Sequence, residues 1–217
     1  TFEQIHNIYR TVGTEVKKIR GWGNVGYEDV LQFSKPEEIE RLFLKRLLSS
    51  QEFYRSLFYN DIFLVEGLTE RCVLEESPKL IQYTQNVYYC NGKYQAPFLI
   101  KLFVAFHKRV IGVFDRDDQK VGKFPYEINS YLQQIEKSYD NLLTLKFIPN
   151  DLESFLGIDD ELYHEIMGEE YSANKKDQLA KQYKPYISLF KIRKDRTLVA
   201  DLETIFDTNS YSAWTTT

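Results

Sequence analysis

Two short acidic clusters hold the residue types best suited to chemistry: Val65-Glu66-Gly67-Leu68-Thr69-Glu70 and Asp115-Arg116-Asp117-Asp118. Each directly follows an apolar, β-favouring run, Ile62-Phe63-Leu64-Val65 in the first case and Val110-Ile111-Gly112-Val113-Phe114 in the second. An apolar run ending in charge reads as a buried strand whose carboxyl end meets solvent. Ligands of open parallel sheets gather at such ends. Side by side, the two strands would assemble Glu66, Glu70, Asp115 and Asp117. Four carboxylates in one place repel one another unless cations hold them, and hard oxygen donors suit Mg²⁺ or Mn²⁺. The chemistry expected is that of a metal site. The bland reading is that the acids merely cap strand ends and start helices.

Local spacing fits the metal reading. Gly67 is expected to give a tight turn that faces Glu66 outward. Thr69 is expected at a helix N-cap or in its first turn, with Glu70 in the first turn, where negative charge is favoured. Asp115 and Asp117 are two apart, so an extended backbone would place both on one side.

Around these clusters the chain reads as α/β. Strands are expected near residues 61–66, 86–90, 109–114 and 142–148. Between them lie helical stretches at about 69–76, then through Phe98, Leu99, Leu102, Phe103 and Phe106, and through Tyr126, Ile128, Tyr131, Leu132 and Ile135. Strands separated by helices imply right-handed crossovers and a parallel sheet flanked by helices. Upstream, residues 2–20 read as a strand pair or a short helix, and the Gly21–Gly26 segment as a loop. Ser34-Lys35-Pro36-Glu37-Glu38 opens a helix, with another near Phe53, Leu57 and Phe58. From about residue 150 the pattern is helical through Phe155, Leu162, Ile166, Leu179 and Tyr186, as a lid or a helical subdomain beside the site.

The paired motifs Glu66-Gly67-Leu68-Thr69-Glu70 and Asp115-Arg116-Asp117 resemble the TOPRIM metal-binding domain of topoisomerases, bacterial primases and OLD (overcoming lysogenisation defect) nucleases. The Thr69-Glu70 ending is similar to the OLD type. Tyr89-Cys90-Asn91-Gly92-Lys93 and Leu145-Lys146-Phe147-Ile148-Pro149-Asn150-Asp151-Leu152-Glu153 resemble further OLD segments, so the resemblance spans roughly residues 60–185. It implies a TOPRIM-type parallel sheet with a helical N-terminal connector (1–58), a core (59–150) and a C-terminal helical part (151–217).

The resemblance also implies a two-ion Mg²⁺ or Mn²⁺ endonuclease. Two ions about 4 Å apart stabilise the attacking and leaving oxygens of an in-line phosphodiester displacement. Glu66 would bind metal or accept a proton from the attacking water. Glu70, Asp115 and Asp117 would complete the ligand set. Asp151 and Glu153 would serve a second ion or else start a helix. OLD nucleases use a late lysine, for which the segment Asn174-Lys175-Lys176-Asp177 offers Lys175 or Lys176. Lys93 would contact a substrate phosphate, against the plainer reading of a solvated lysine after a glycine turn.

Composition sets the remaining limits. A chain of 217 residues with 43% hydrophobic and 15% aromatic residues can bury a sizeable core. No apolar run approaches membrane-span length and no signal peptide begins the chain, so a cytoplasmic, membrane-free protein is expected. Cys72 and Cys90 lack metal-ligand spacing and read as reduced thiols. His6, His107 and His164 are scattered, so neither Ser-His-Asp nor Cys-His catalysis finds support. The net charge of -4 argues against tight independent DNA binding, although bound cations would reverse the sign of the site. The basic runs Lys17-Lys18-Ile19-Arg20, Lys175-Lys176 and Lys191-Ile192-Arg193-Lys194 are more often solvated faces than phosphate tracks.

OLD-type proteins join an ABC-type ATPase to the TOPRIM domain. No Walker A run is present and Thr1 opens the chain, so a fragment whose ATPase lies elsewhere is expected, with DNA as substrate and a homo-oligomer formed through the ATPase. The competing readings are a primase- or topoisomerase-type domain and a degenerate module serving assembly or partner binding. The first would want a zinc module or a catalytic-tyrosine domain, neither of which is visible. The intact carboxylate set speaks against the second.

Overall fold

The computed structural model describes residues 47–77, 87–167 and 176–206, together with Gln4, Asn7, Ile8, Thr11, Val12 and Glu15. These six early positions are helical, which decides between the strand pair and the helix expected there. The loop and helix expected between residues 21 and 46 lie outside the described residues, as does the Lys17–Arg20 run.

Four strands form one parallel sheet: β1 (Asp61–Val65), β2 (Val87–Tyr89), β3 (Arg109–Asp115) and β4 (Leu143–Ile148). Their order across the sheet is β2-β1-β3-β4. The chain passes from β1 outward to β2, then crosses back over β1 to β3. Connections therefore leave β1 and β3 in opposite directions, and a crevice opens between their carboxyl ends. Val65 is in register with Val113, which brings the residues after both strands to the same edge.

Strand periodicity sorts the apolar residues onto two faces. Ile62, Leu64, Val110, Phe114, Leu143 and Leu145 point to one core. Among the described residues it is covered by α1 (Gln51–Leu57), α3 (Ala96–Ala105) and α4 (Phe124–Ser138), with Val12 and Leu47 from the preceding helical positions. Ile62 and Leu64 are wholly buried, each contributing roughly 1.5–3 kcal/mol of transfer free energy. Gly112 is required on this face: a Cβ there would stand 2.7 Å from the Phe114 ring and 2.8 Å from Leu145.

Phe63, Val65, Val113 and Ile148 face a second core. It is closed by α2 (Leu68–Leu74), α5 (Leu152–Leu156), α6 (Asp160–Met167), α7 (Lys176–Lys194) and α8 (Thr197–Phe206). The late helices are thus part of the sandwich. Leu152, Leu156, Ile187, Ile192, Val199 and Leu202 are buried in the same cluster as the sheet, and α7 packs along α2. Among the described residues no helix is long and apolar enough to cross a membrane.

Candidate metal centre

β1 ends at Val65 because the next residue is charged, and α2 begins two residues later with Gly67 as its N-cap. Glu70 occupies the third helical position, and its Oε2 turns back to accept the Gly67 N–H at 2.7 Å. That is the glutamate half of a capping box. Gly67 has φ -147°, an extended backbone open to any residue, so the tight-turn explanation is corrected. Glycine suits the position because a Cβ would come within 3.1 Å of the Glu70 carboxylate. Thr69 lies in the first turn, buried beside Glu70.

β3 ends at Asp115, which points to the second face like Val113. Its Oδ1 accepts the Leu152 N–H of α5 at 3.0 Å. Three elements thus converge on it: its own strand, the N-terminus of α5 and the turn that carries Glu66 and Glu70. Burial, then the negative charge of Glu70 and Glu66, pushes Asp115 up to about 8, against attraction from Lys184 and Lys93. Burial also raises Glu66, with Glu70 and Asp117 adding to the rise and Lys93 and Lys184 opposing it.

Asp117 departs from the extended geometry expected of it. Its φ of 57° and ψ of 38° are left-handed, and its N–H donates to the Asn150 carbonyl at 2.5 Å. The backbone has left the strand, so the two-residue spacing does not place Asp115 and Asp117 on one side. Asn91, Asp117 and Asn150 all have positive φ, one beyond the end of each of β2, β3 and β4. Asn and Asp tolerate this region best among residues with side chains.

Lys93 is 3% exposed, not solvated at a turn. Its ammonium donates to the Asp115 carbonyl at 2.5 Å, Asp117 Oδ2 at 2.5 Å and the Pro125 carbonyl at 2.9 Å. It also lies 3.9 Å from Glu66 Oε2. A phosphate-contacting role would need an outward ammonium, so the substrate-binding expectation for Lys93 is corrected to an internal one. Lys120 takes the other Asp117 oxygen at 2.6 Å.

Asp151 caps α5, accepting the Ser154 N–H at 2.8 Å and the Gln119 amide at 2.7 Å. Of its two expected roles, the structure places it in the helix start. Burial works against ionisation of Asp151, but the Ser154 hydrogen bonds, Lys120 and Gln119 outweigh it and hold the carboxyl below its ordinary value. Glu153 is ion-paired with Lys184 of α7.

Lys184 is the residue that sequence reasoning missed. Lys175 lies outside the described residues, and Lys176 begins α7 with its side chain outside them. Lys184, two turns further along, is the late lysine whose charge reaches both Glu66 and Asp115. It shares the inner side of the helix with Ile187 and the wholly buried Ser188, a placement set by packing and not by any local motif. The Lys191–Lys194 run sits at the far end of α7, where Arg193 pairs with Glu76 at 2.6 Å.

Among the described residues no three donors already surround one point as metal ligands. Glu70 is turned to its capping hydrogen bond and Asp115 to Leu152, so ligation requires side-chain rotation. The fit rests on other features. Glu66 Oε2 is buried with no hydrogen-bond partner, and Glu66, Glu70 and Asp115 form an all-oxygen set in which burial and the neighbouring negative charge make Glu66 and Asp115 costly to ionise. A divalent cation would satisfy both.

Comparison with known proteins agrees with this geometry. Residues 57–117 match the family model described as overcoming lysogenization defect protein-like, TOPRIM domain. The match contains Glu66, Glu70, Lys93, Asp115 and Asp117. No curated protein and no solved structure gave a significant match. Residues 57–117 are thus similar to the OLD-like TOPRIM domain, a kind of domain that generally binds divalent metal ions.

Proposed function

We propose that this chain is the nuclease part of an ATPase-linked, OLD-like protein acting in phage defence or DNA processing, and that it hydrolyses phosphodiester bonds of DNA with Mg²⁺ or Mn²⁺. The observation that carries this reading is the juxtaposition of Glu66, Glu70 and Asp115 at the β1/β3 crevice with the charge of Lys184 beside them.

Glu66, Glu70 and Asp115 would hold the cation. Once bound, it would neutralise charge on the phosphate oxygens and make an attacking water more acidic. Lys184, on α7, would donate to the oxygens on which charge builds up in the transition state. Lys93 does not touch substrate in this scheme. It fixes the Asp115–Asp117 turn from below.

The test is nicking of supercoiled plasmid at low and moderate ionic strength. Cleavage is expected with Mn²⁺ or Mg²⁺ and none with EDTA. Activity should be slow and without sequence preference, since a chain of net charge -4 gains little from counterion release, and the electrostatic part of the binding should weaken as salt rises. Cleavage unaffected by EDTA would contradict the proposal. Tight, sequence-specific binding at moderate salt would replace it with a self-sufficient nuclease.

A further inference from the structure

The Lys93 ammonium has three N–H donors, and three oxygens receive them within 2.9 Å: the Asp115 carbonyl, Asp117 Oδ2 and the Pro125 carbonyl. It is therefore fully satisfied where it stands, with a side chain 2% exposed. It also lies 2.5 Å from Asp117 Oδ2 and 3.9 Å from Glu66 Oε2, between two of the carboxylates expected as metal ligands. The other Asp117 oxygen is held by Lys120 at 2.6 Å.

The remaining donors for a second ion are committed elsewhere. Asp151 uses its oxygens on Ser154 and Gln119, and Glu153 is paired with Lys184. A second divalent ion at Asp117 would stand against a buried ammonium. An unpaired buried charge is among the most destabilising features a fold can carry.

We propose that Lys93 takes the place of a second metal ion, so that this centre holds a single divalent cation through Glu66, Glu70 and Asp115. The proposal rests on the metal-binding reading above but not on the reaction. The fixed cation neutralises Asp117 and ties the turns after β2 and β3 to the start of α4. This differs from the two-ion site that the resemblance implied, and it makes Lys93 a positioning residue.

The number of bound ions decides it, without reference to cleavage. Mn²⁺ is titrated into the full chain by calorimetry, and the bound ion is examined by electron paramagnetic resonance. The wild type is expected to take one Mn²⁺ and show the six-line signal of an isolated ion. Lys93→Met uncovers Asp117 and is expected to take two, with the signal of a spin-coupled pair. Lys93→Met combined with Asp117→Asn should return to one. Two ions on the wild type would overturn the proposal, and this arm does not require any variant to fold. A folded Lys93→Met that still binds one ion would also overturn it. No Mn²⁺ on the wild type would remove this proposal together with the metal site. One ion without plasmid cleavage would leave it standing and remove only the nuclease reading.

Discussion

Asp115→Asn is expected to lower Mn²⁺-dependent cleavage by at least ~10²-fold while raising the melting temperature in EDTA. The loss follows if the carboxylate holds a cation worth several kcal/mol of transition-state stabilisation, since about 2.7 kcal/mol corresponds to 10²-fold. The gain in stability follows from titration. Asp115 has a folded value of about 8 against an ordinary 3.8, so between those values the native state binds more protons than the unfolded chain. Stability then falls as pH rises through that window. Asparagine keeps an acceptor for the Leu152 N–H but has no charge to desolvate.

The difference in melting temperature between variant and wild type should therefore grow from about pH 4 to pH 8. In a chain of this size roughly 1 kcal/mol moves the midpoint by about 2–4 °C. Mn²⁺ should raise the wild-type midpoint and leave that of the variant nearly unchanged. Thermal melts across that pH range, with and without Mn²⁺, check this. A variant that is less stable at every pH would assign Asp115 a purely structural role at the start of α5.

Lys184→Met is the second large effect: cleavage should fall by about 10²–10³-fold, as when one donor to a developing oxyanion is removed, with Mn²⁺ binding retained. Lys184 lowers both Glu66 and Asp115 and pairs with Glu153. Without metal, the variant should also lose stability above about pH 8, where Asp115 loses its proton in the wild type, and Mn²⁺ should restore it. Cleavage and Mn²⁺ titration on one preparation separate the two contributions. Equal or greater loss in Lys175→Met or Lys176→Met, with Lys184→Met near wild type, would return the late lysine to the segment the resemblance first indicated.

The strands were legible because their burial is written in short range. Ile62 and Leu64 alternate with Phe63 and Val65 between the two cores, and each run stops at a charge that cannot be buried unpaired. Glu66, Glu70 and Asp115 are near one another for the same reason, since parallel register carries the ends of β1 and β3 to one edge. Asp117 was not legible. Its left-handed backbone depends on Asn150, and the pairing of its carboxylate on Lys93 and Lys120.

Lys93 misled for a related reason. A lysine after Asn91-Gly92 looks solvated in any sequence, and only the return of β3 and the start of α4 bring three oxygens around its ammonium. Lys184 depends on tertiary packing altogether. α7 has no strong apolar stripe, and its register is set by lying along α2.

A crystal of the full chain grown with Mn²⁺ tests the metal centre most directly, through an anomalous difference map. The expected result is one peak at the carboxyl ends of β1 and β3, ligated by Glu66, Glu70 and Asp115, with Lys93 still on Asp117. A map with no peak there, or with Mn²⁺ only on surface carboxylates such as Asp118 or Glu76, would contradict it.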